Sequence, residues 1–109
     1  GHSYFTTKSI PLGPSHGPNS IGSLSAAMPV TGLVVRDTPA DYDFDWHVAP
    51  RKQFVVNLDA AVEIEVSDGS KKVLGAGEMF LLEDTEGQGH RSKSVNGQPR
   101  RSLFITVAD

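Results

Sequence analysis

The chain contains no cysteine. Disulfides, thiolate metal sites and a cysteine nucleophile are therefore excluded, and the composition fits a cytoplasmic protein. No apolar run approaches the length of a membrane span, and the first residues lack the charged and apolar regions of a signal peptide, so no membrane partner is expected. Basic residues are outnumbered: Lys and Arg total 10 against 13 Asp and Glu, for a net charge of −3. With no positive field to hold a phosphate backbone, nucleic acid is not expected as a partner either. Helical periodicity is missing as well, since no stretch places apolar residues at three-and-four spacing over three turns. There is no phosphate-cradling loop, because "GAGE" at 75–78 lacks both the lysine and the following helix, and no serine sits in a nucleophile elbow.

What is present is enough for one domain with one core: 109 residues, 38% hydrophobic and 21% charged. Gly1 and His2 read as the remnant of a purification tag, so His2 is set aside. Residues 8–23 are crowded with glycine, proline and serine, which predicts an irregular N-terminal arm over 1–23 and a β domain over 24–109. The arm could also lie across a partner subunit. Beyond it, short β-prone runs alternate with turn signals: Leu33–Val35, the alternating "ADYDFDWH", "QFVVN", "VEIEV", "KKVL", "MFLL", "RSKSV" and "RRSLFITVAD". Asp68-Gly69 and Asn96-Gly97 are both hairpin signals. Period two puts Val62, Ile64 and Val66 on one face, Glu63 and Glu65 on the other, and groups Leu103, Ile105 and Val107. About seven or eight strands and no helix predict an all-β sandwich, jelly roll or small barrel.

The order of motifs resembles the cupin superfamily, small single-domain jelly-roll β-barrels, over roughly residues 33–107. Cupins carry a first motif with His-x-His and a glutamate and a second with a glycine, a histidine and an asparagine. His47 takes the first histidine position, Gly87 and His90 the second motif's glycine and histidine, and "GAGE" resembles the glycine turn before that strand. Four positions depart from the pattern: Ala49 stands for the second histidine, Gln53 for the glutamate, Thr85 for the proline and Ser94 for the asparagine. The resemblance implies a jelly-roll β-barrel whose mouth holds His47 and His90 together, with a degenerate metal motif. It also implies a small organic ligand and a homodimer, since related barrels often pair through an N-terminal arm or a sheet.

The candidate site follows from those residues. His47 and His90 are the expected acid and base, because imidazole titrates near neutrality and its neutral ring nitrogen is a good ligand. Gln53 shares a face with His47 and would orient a substrate or complete a weak metal site. Arg51 falls on the same side as Gln53 and is a candidate anchor for an acidic or carbonyl group, or else an exposed rim charge. Arg36 is a second such candidate. Tyr42, Phe44 and Trp46 share one parity and either line a pocket or pack the core. One of Glu83 and Asp84 must face the side of the sheet that Leu82 does not; Asp84 is placed with the substrate site, and if either carboxylate faces inward it would sit beside His90 and orient it or raise its pKa. Arg91, Lys93, Arg100 and Arg101 read as a solvated basic patch. The expected function is non-hydrolytic proton-transfer chemistry, a dehydratase, isomerase or cyclase, on a small metabolite. No cofactor is favoured. A divalent metal (Fe, Mn, Ni or Zn) on His47, His90 and Gln53, giving a dioxygenase or metal-assisted isomerase, is the alternative, and a non-catalytic binding barrel is the third reading.

Overall fold

The structure is a computed structural model and describes residues 1–14 and 22–108. Every regular element among the described residues is a strand. These are β1 (Gly13–Pro14), β2 (Ser23–Leu24), β3 (Val30–Thr38), β4 (Asp43–His47), β5 (Gln53–Asn57), β6 (Val62–Val66), β7 (Lys71–Leu74), β8 (Met79–Leu82), β9 (His90–Ser94) and β10 (Arg100–Val107). The first two form a small ribbon; the other eight form two four-stranded antiparallel sheets, ordered β3-β10-β5-β8 and β4-β9-β6-β7. Part of the arm expected over 1–23 thus enters the β1–β2 ribbon, while positions 15–21 lie outside the described residues.

Alternation explains which faces meet. Along β5 and β6 burial runs buried, half-buried, buried, so Gln53, Val55, Asn57, Val62, Ile64 and Val66 point between the sheets. Val62, Ile64 and Val66 form the apolar heart of the core, with Phe5, Leu74 and Phe80 packed against it. The outward faces of the two sheets differ. On the β4 sheet, Glu63 and Glu65 pair with Lys93 and Arg91. On the β3 sheet the register aligns two apolar rows, Val35-Leu103-Val56-Met79 and Leu33-Ile105-Phe54-Leu81. The sequence grouping of Leu103 with Ile105 therefore marks this outer face. The inner face of β10 is Arg100, Ser102, Phe104 and Thr106.

The two Gly-containing turns expected as hairpins behave differently. Asp68-Gly69 does join paired neighbours, β6 and β7, with Gly69 at φ 94°. Asn96 and Gly97 both adopt positive φ, as a tight turn requires, but they carry the chain from β9 in one sheet to β10 in the other. The local turn signal is satisfied without strand pairing, because the partners of β9 and β10 come from distant segments.

Strand β4 carries an irregularity that sets its face. Phe44 pairs with Ser92 and His47 with His90, so Asp45 and Trp46 on β4 oppose the single residue Arg91 on β9. This bulge turns His47 to the same side as Phe44 and moves Asp45 and Trp46 outward, against Arg91. The end of β4 is locked by Gly89. Its φ is 72°, and a Cβ there would collide with the His47 carbonyl.

Residues 3–10 run along the other side of the sandwich, next to β7 and β8. The Ser3 hydroxyl donates to the Gly89 carbonyl at 2.6 Å and accepts from the Ser67 amide at 2.8 Å. Phe5 then enters the core beneath Lys72, whose ammonium lies 5.4 Å from the ring centroid. Lys8 reaches Glu83 at 2.7 Å, and Lys52 approaches the same carboxylate at 3.4 Å. The Lys8 ammonium, with Lys52, holds the Glu83 carboxyl below the usual carboxylate range. The arm is thus a strap across its own domain.

Two outcomes follow. A carboxyl with a depressed folded-state pKa contributes above its ordinary value and loses that contribution as pH falls through the folded value. Heteronuclear NOEs of the Thr7 and Lys8 amides should therefore hold steady from neutral pH down to about pH 5 and drop in acid, and Glu83→Gln should remove the step. Phe5 stays seated throughout, because apolar burial does not titrate and an exposed ion pair is worth little. In urea melts, Gly89→Ala should cost about 1–3 kcal/mol from backbone strain, with the collision against His47 adding to it.

Candidate functional site

The paired ends of β4 and β9 bring the two histidines together. Their ring centroids are 4.4 Å apart at an interplanar angle of 57°. His90 is buried, at 4% exposure, and its Nδ1 lies 2.6 Å from Asp84 Oδ2. An ionised carboxylate can only accept, so Nδ1 is the donor to Asp84, and in the neutral ring Nε2 is then the acceptor. His47 Nδ1 sits 2.7 Å from the Asp45 carbonyl, which imposes the same tautomer on the second ring. The bulge does double duty here, since it aims His47 inward and supplies the carbonyl that orients it. Phe44 stacks on the His47 ring at 4.1 Å. Asp84 is itself fixed, because its carbonyl accepts from the Ala49 amide at 3.1 Å.

Glu83 and Asp84 divide as alternation requires. Asp84 turns to His90, whereas Glu83 faces the strap and its lysines. Gln53 is buried on the inner face of the opposite sheet, between Leu82 and Thr106 in register, and makes no hydrogen bond to either imidazole. Arg36 projects from the inner face of β3 over the Phe104 ring, 4.3 Å from its centroid, and lies 5.9 Å from that of Tyr42.

Two expected site residues fall elsewhere. Trp46 is 41% exposed, with Arg91 rather than a cavity against its ring; the β4 bulge breaks the parity that grouped it with Tyr42 and Phe44. Arg51 is exposed on the rim, because residues 50–51 form a bend and the alternation that would align Arg51 with Gln53 starts only at β5.

A cavity of about 960 Å³ opens along the β7–β8 edge on the strap side, lined by His90, Asp84, Ile64, Val66, Phe80 and Leu82 and roofed by residues 1–10; it reaches around β8 to Met79 and Leu81, and of the two histidines only His90 lines it. It is large enough for a small organic molecule. Among the described residues no group of three His, Cys, Asp or Glu could hold a metal together. The donor set is two imidazoles, with the nearby Asp84 oxygen already engaged by His90 Nδ1. That falls short of the three good protein ligands zinc needs, so the donors do not fit a metal centre by themselves.

Two further polar contacts complete the interior. Tyr42 Oη and Ser92 Oγ are 2.7 Å apart across the sheet. Arg100, grouped by sequence with a solvated basic patch, is 4% exposed and donates from Nη1 to Asn57 Oδ1 at 2.7 Å. Its neighbour Arg101 does face solvent and pairs with Asp37, whose carboxyl that guanidinium holds below the usual range. The available signal was parity: Arg100 shares its side of β10 with Ser102 and Phe104.

The fold is similar to that of protein NMB1881 from Neisseria meningitidis, seen in its crystal structure, with a TM-score of 0.55 and 18% sequence identity over 70% of this chain and 72% of that one. At that identity the likeness concerns the fold. No family model matches the chain. No curated protein matches it either.

Proposed function

We propose that this chain is a cupin-like jelly-roll barrel that performs proton-transfer chemistry on a small organic molecule held between its sheets. The strand orders β3-β10-β5-β8 and β4-β9-β6-β7, with successive strands passing between sheets at most connections, support the jelly-roll part of the reading. The observation that carries the chemistry is the imidazole pair, 4.4 Å apart, with His90 oriented by Asp84 and both Nε2 atoms turned away from their backbone and carboxylate partners.

The mechanism uses only side chains of this chain. One neutral imidazole takes a proton from carbon or hydroxyl, and Asp84 stabilises the imidazolium if that ring is His90. The other imidazole, once protonated, returns a proton at the neighbouring atom, which completes an isomerisation or expels water in a dehydration. The apolar cavity wall of Ile64, Val66, Phe80 and Leu82 keeps bulk water from the His90 side, which limits loss of the proton to solvent between the two steps. Gln53 donates a hydrogen bond from the opposite sheet to orient the ligand.

The apolar outer face of the β3 sheet supports a homodimer. Leu33 and Val35 are 62% and 60% exposed on a face that spans four strands with little charge, whereas the opposite sheet is covered by ion pairs.

The chemistry is tested by incubating the protein in D₂O with a panel of small alcohols, ketones and acids and following deuterium entry at carbon by NMR. His47→Ala or His90→Ala should each lower the exchange rate by about 10²–10⁴-fold, and Asp84→Asn should lower it with little change in KM. A ligand that binds and never exchanges would make the barrel a binder instead. For assembly, light scattering should find a dimer that Val35→Asp converts to a folded monomer; a wild-type monomer at high concentration would remove the dimer.

A further inference from the structure

Arg100 is buried at 4% exposure, yet its one side-chain hydrogen bond goes to the neutral Asn57 amide. Among the described residues no carboxylate approaches within 4.0 Å of it or of Arg36. Burial and the nearby Arg36 charge both push the Arg100 pKa down, with Tyr42 and Asp59 opposing only through space. A buried cation without a counter-ion is costly, and burial beside a second cation adds to that cost. The surrounding hydroxyls add donors. Thr38 sits opposite Arg100 in the ladder and Ser102 opposite Arg36, and both hydroxyls are buried with no hydrogen-bond partner. The cluster therefore carries two guanidiniums and two uncommitted hydroxyls, with no anionic acceptor among the described residues.

We infer that Arg36, Arg100, Thr38 and Ser102 form an oxyanion seat on the inner face of the β3–β10 pair, open to solvent at Arg36, and that the ligand of this protein carries a carboxylate or phosphate group. The inference deepens the reading of the interior as a substrate site and rests on it. The seat is connected to the histidines by a wall of rings. Arg36 lies 5.9 Å from the Tyr42 ring centroid, Tyr42 is 6.3 Å from Phe44 edge-on, and Phe44 stacks on His47 at 4.1 Å. An anion held at the guanidinium end would lay its apolar body along Tyr42 and Phe44 and present its far end to the imidazoles. Two planar guanidiniums match the planar oxygens of a carboxylate, and two positive charges match a phosphate dianion.

The test measures binding rather than turnover. Benzoate, its neutral isostere benzamide, and inorganic phosphate are titrated into the protein at low ionic strength, with chloride at matched ionic strength as the control. Melting temperature and the NMR signals of Tyr42 and Ser92 are followed. The expected result is a saturable response to benzoate or phosphate and none to benzamide or chloride, the stronger of the two anions naming the group. Arg36→Gln, at a position open to solvent and so compatible with folding, should weaken that response by about tenfold or more. Arg100→Lys keeps the charge and loses the fork, and should weaken it too. His90→Ala should leave the phosphate response intact, so failure of the proton-transfer reading is separable from failure of the seat. Equal responses to benzoate and benzamide, or an Arg36→Gln variant that binds both anions like the parent, would overturn the proposal.

Discussion

The meeting of the two histidines depends on one close backbone contact, that between Gly89 and the His47 carbonyl. The approach is feasible because Gly89 lacks a Cβ and holds φ at 72°. It closes the end of β4 onto the start of β9, and the β4 bulge then decides which side chains look inward. Without the extra residue, strict alternation would give Phe44 and Trp46 a common face and send His47 to the other. The bulge instead delivers His47 beside His90 and leaves its Nδ1 hydrogen satisfied by the Asp45 carbonyl. A local irregularity thus fixes both the direction and the tautomer of one ring.

The second organising feature is the difference between the two sheets. Both contribute an inner face to the same core, but one covers its outside with Glu63–Lys93 and Glu65–Arg91 pairs and the other with two rows of aliphatic and aromatic side chains. Segment 24–28 lies over part of the second face, near Phe54, Met79 and Ile105. The strap of residues 3–10 uses neither face. It fills the gap between β7 and β8 through Phe5 and pins itself by Ser3, which serves Ser67 and Gly89 much as a strand neighbour would.

The interior itself is unusually polar for a sandwich of this size. Asn57, Ser92, Ser102, Thr38, Gln53, His90 and Arg100 are all buried, against five buried hydrophobic residues. Most of these polar groups are costly for stability unless something satisfies them. Some are satisfied within the chain: Asn57 by Arg100 and the Leu74 carbonyl, Ser92 by Tyr42, His90 by Asp84. The Thr38 and Ser102 hydroxyls are not. Polar strain of this kind collects where a protein handles a ligand rather than where it only needs to hold together.

Period-two patterning was enough to read the all-β class, most strand positions, and the inward row Val62, Ile64 and Val66, because alternation on a strand is a local property. The turn residues were legible for the same reason: Asp68-Gly69 and Asn96-Gly97 both take their turn conformations whatever follows them. What the sequence left open was every question of pairing. Whether Asn96-Gly97 joins a hairpin or crosses between sheets depends on distant partners. Arg100 reads as one member of a basic patch until the β10 register separates it from Arg101, burying one and pairing the other with Asp37 on the surface. Trp46 leaves the aromatic row because a bulge interrupts alternation without a sequence signal of its own, and Arg51 takes the rim position, one of its two expected places, because the bend at Pro50 precedes β5. Residue type and parity belong to the chain; which side chains share a cavity is decided by long-range register, since only tertiary contacts fix where one strand slides against another.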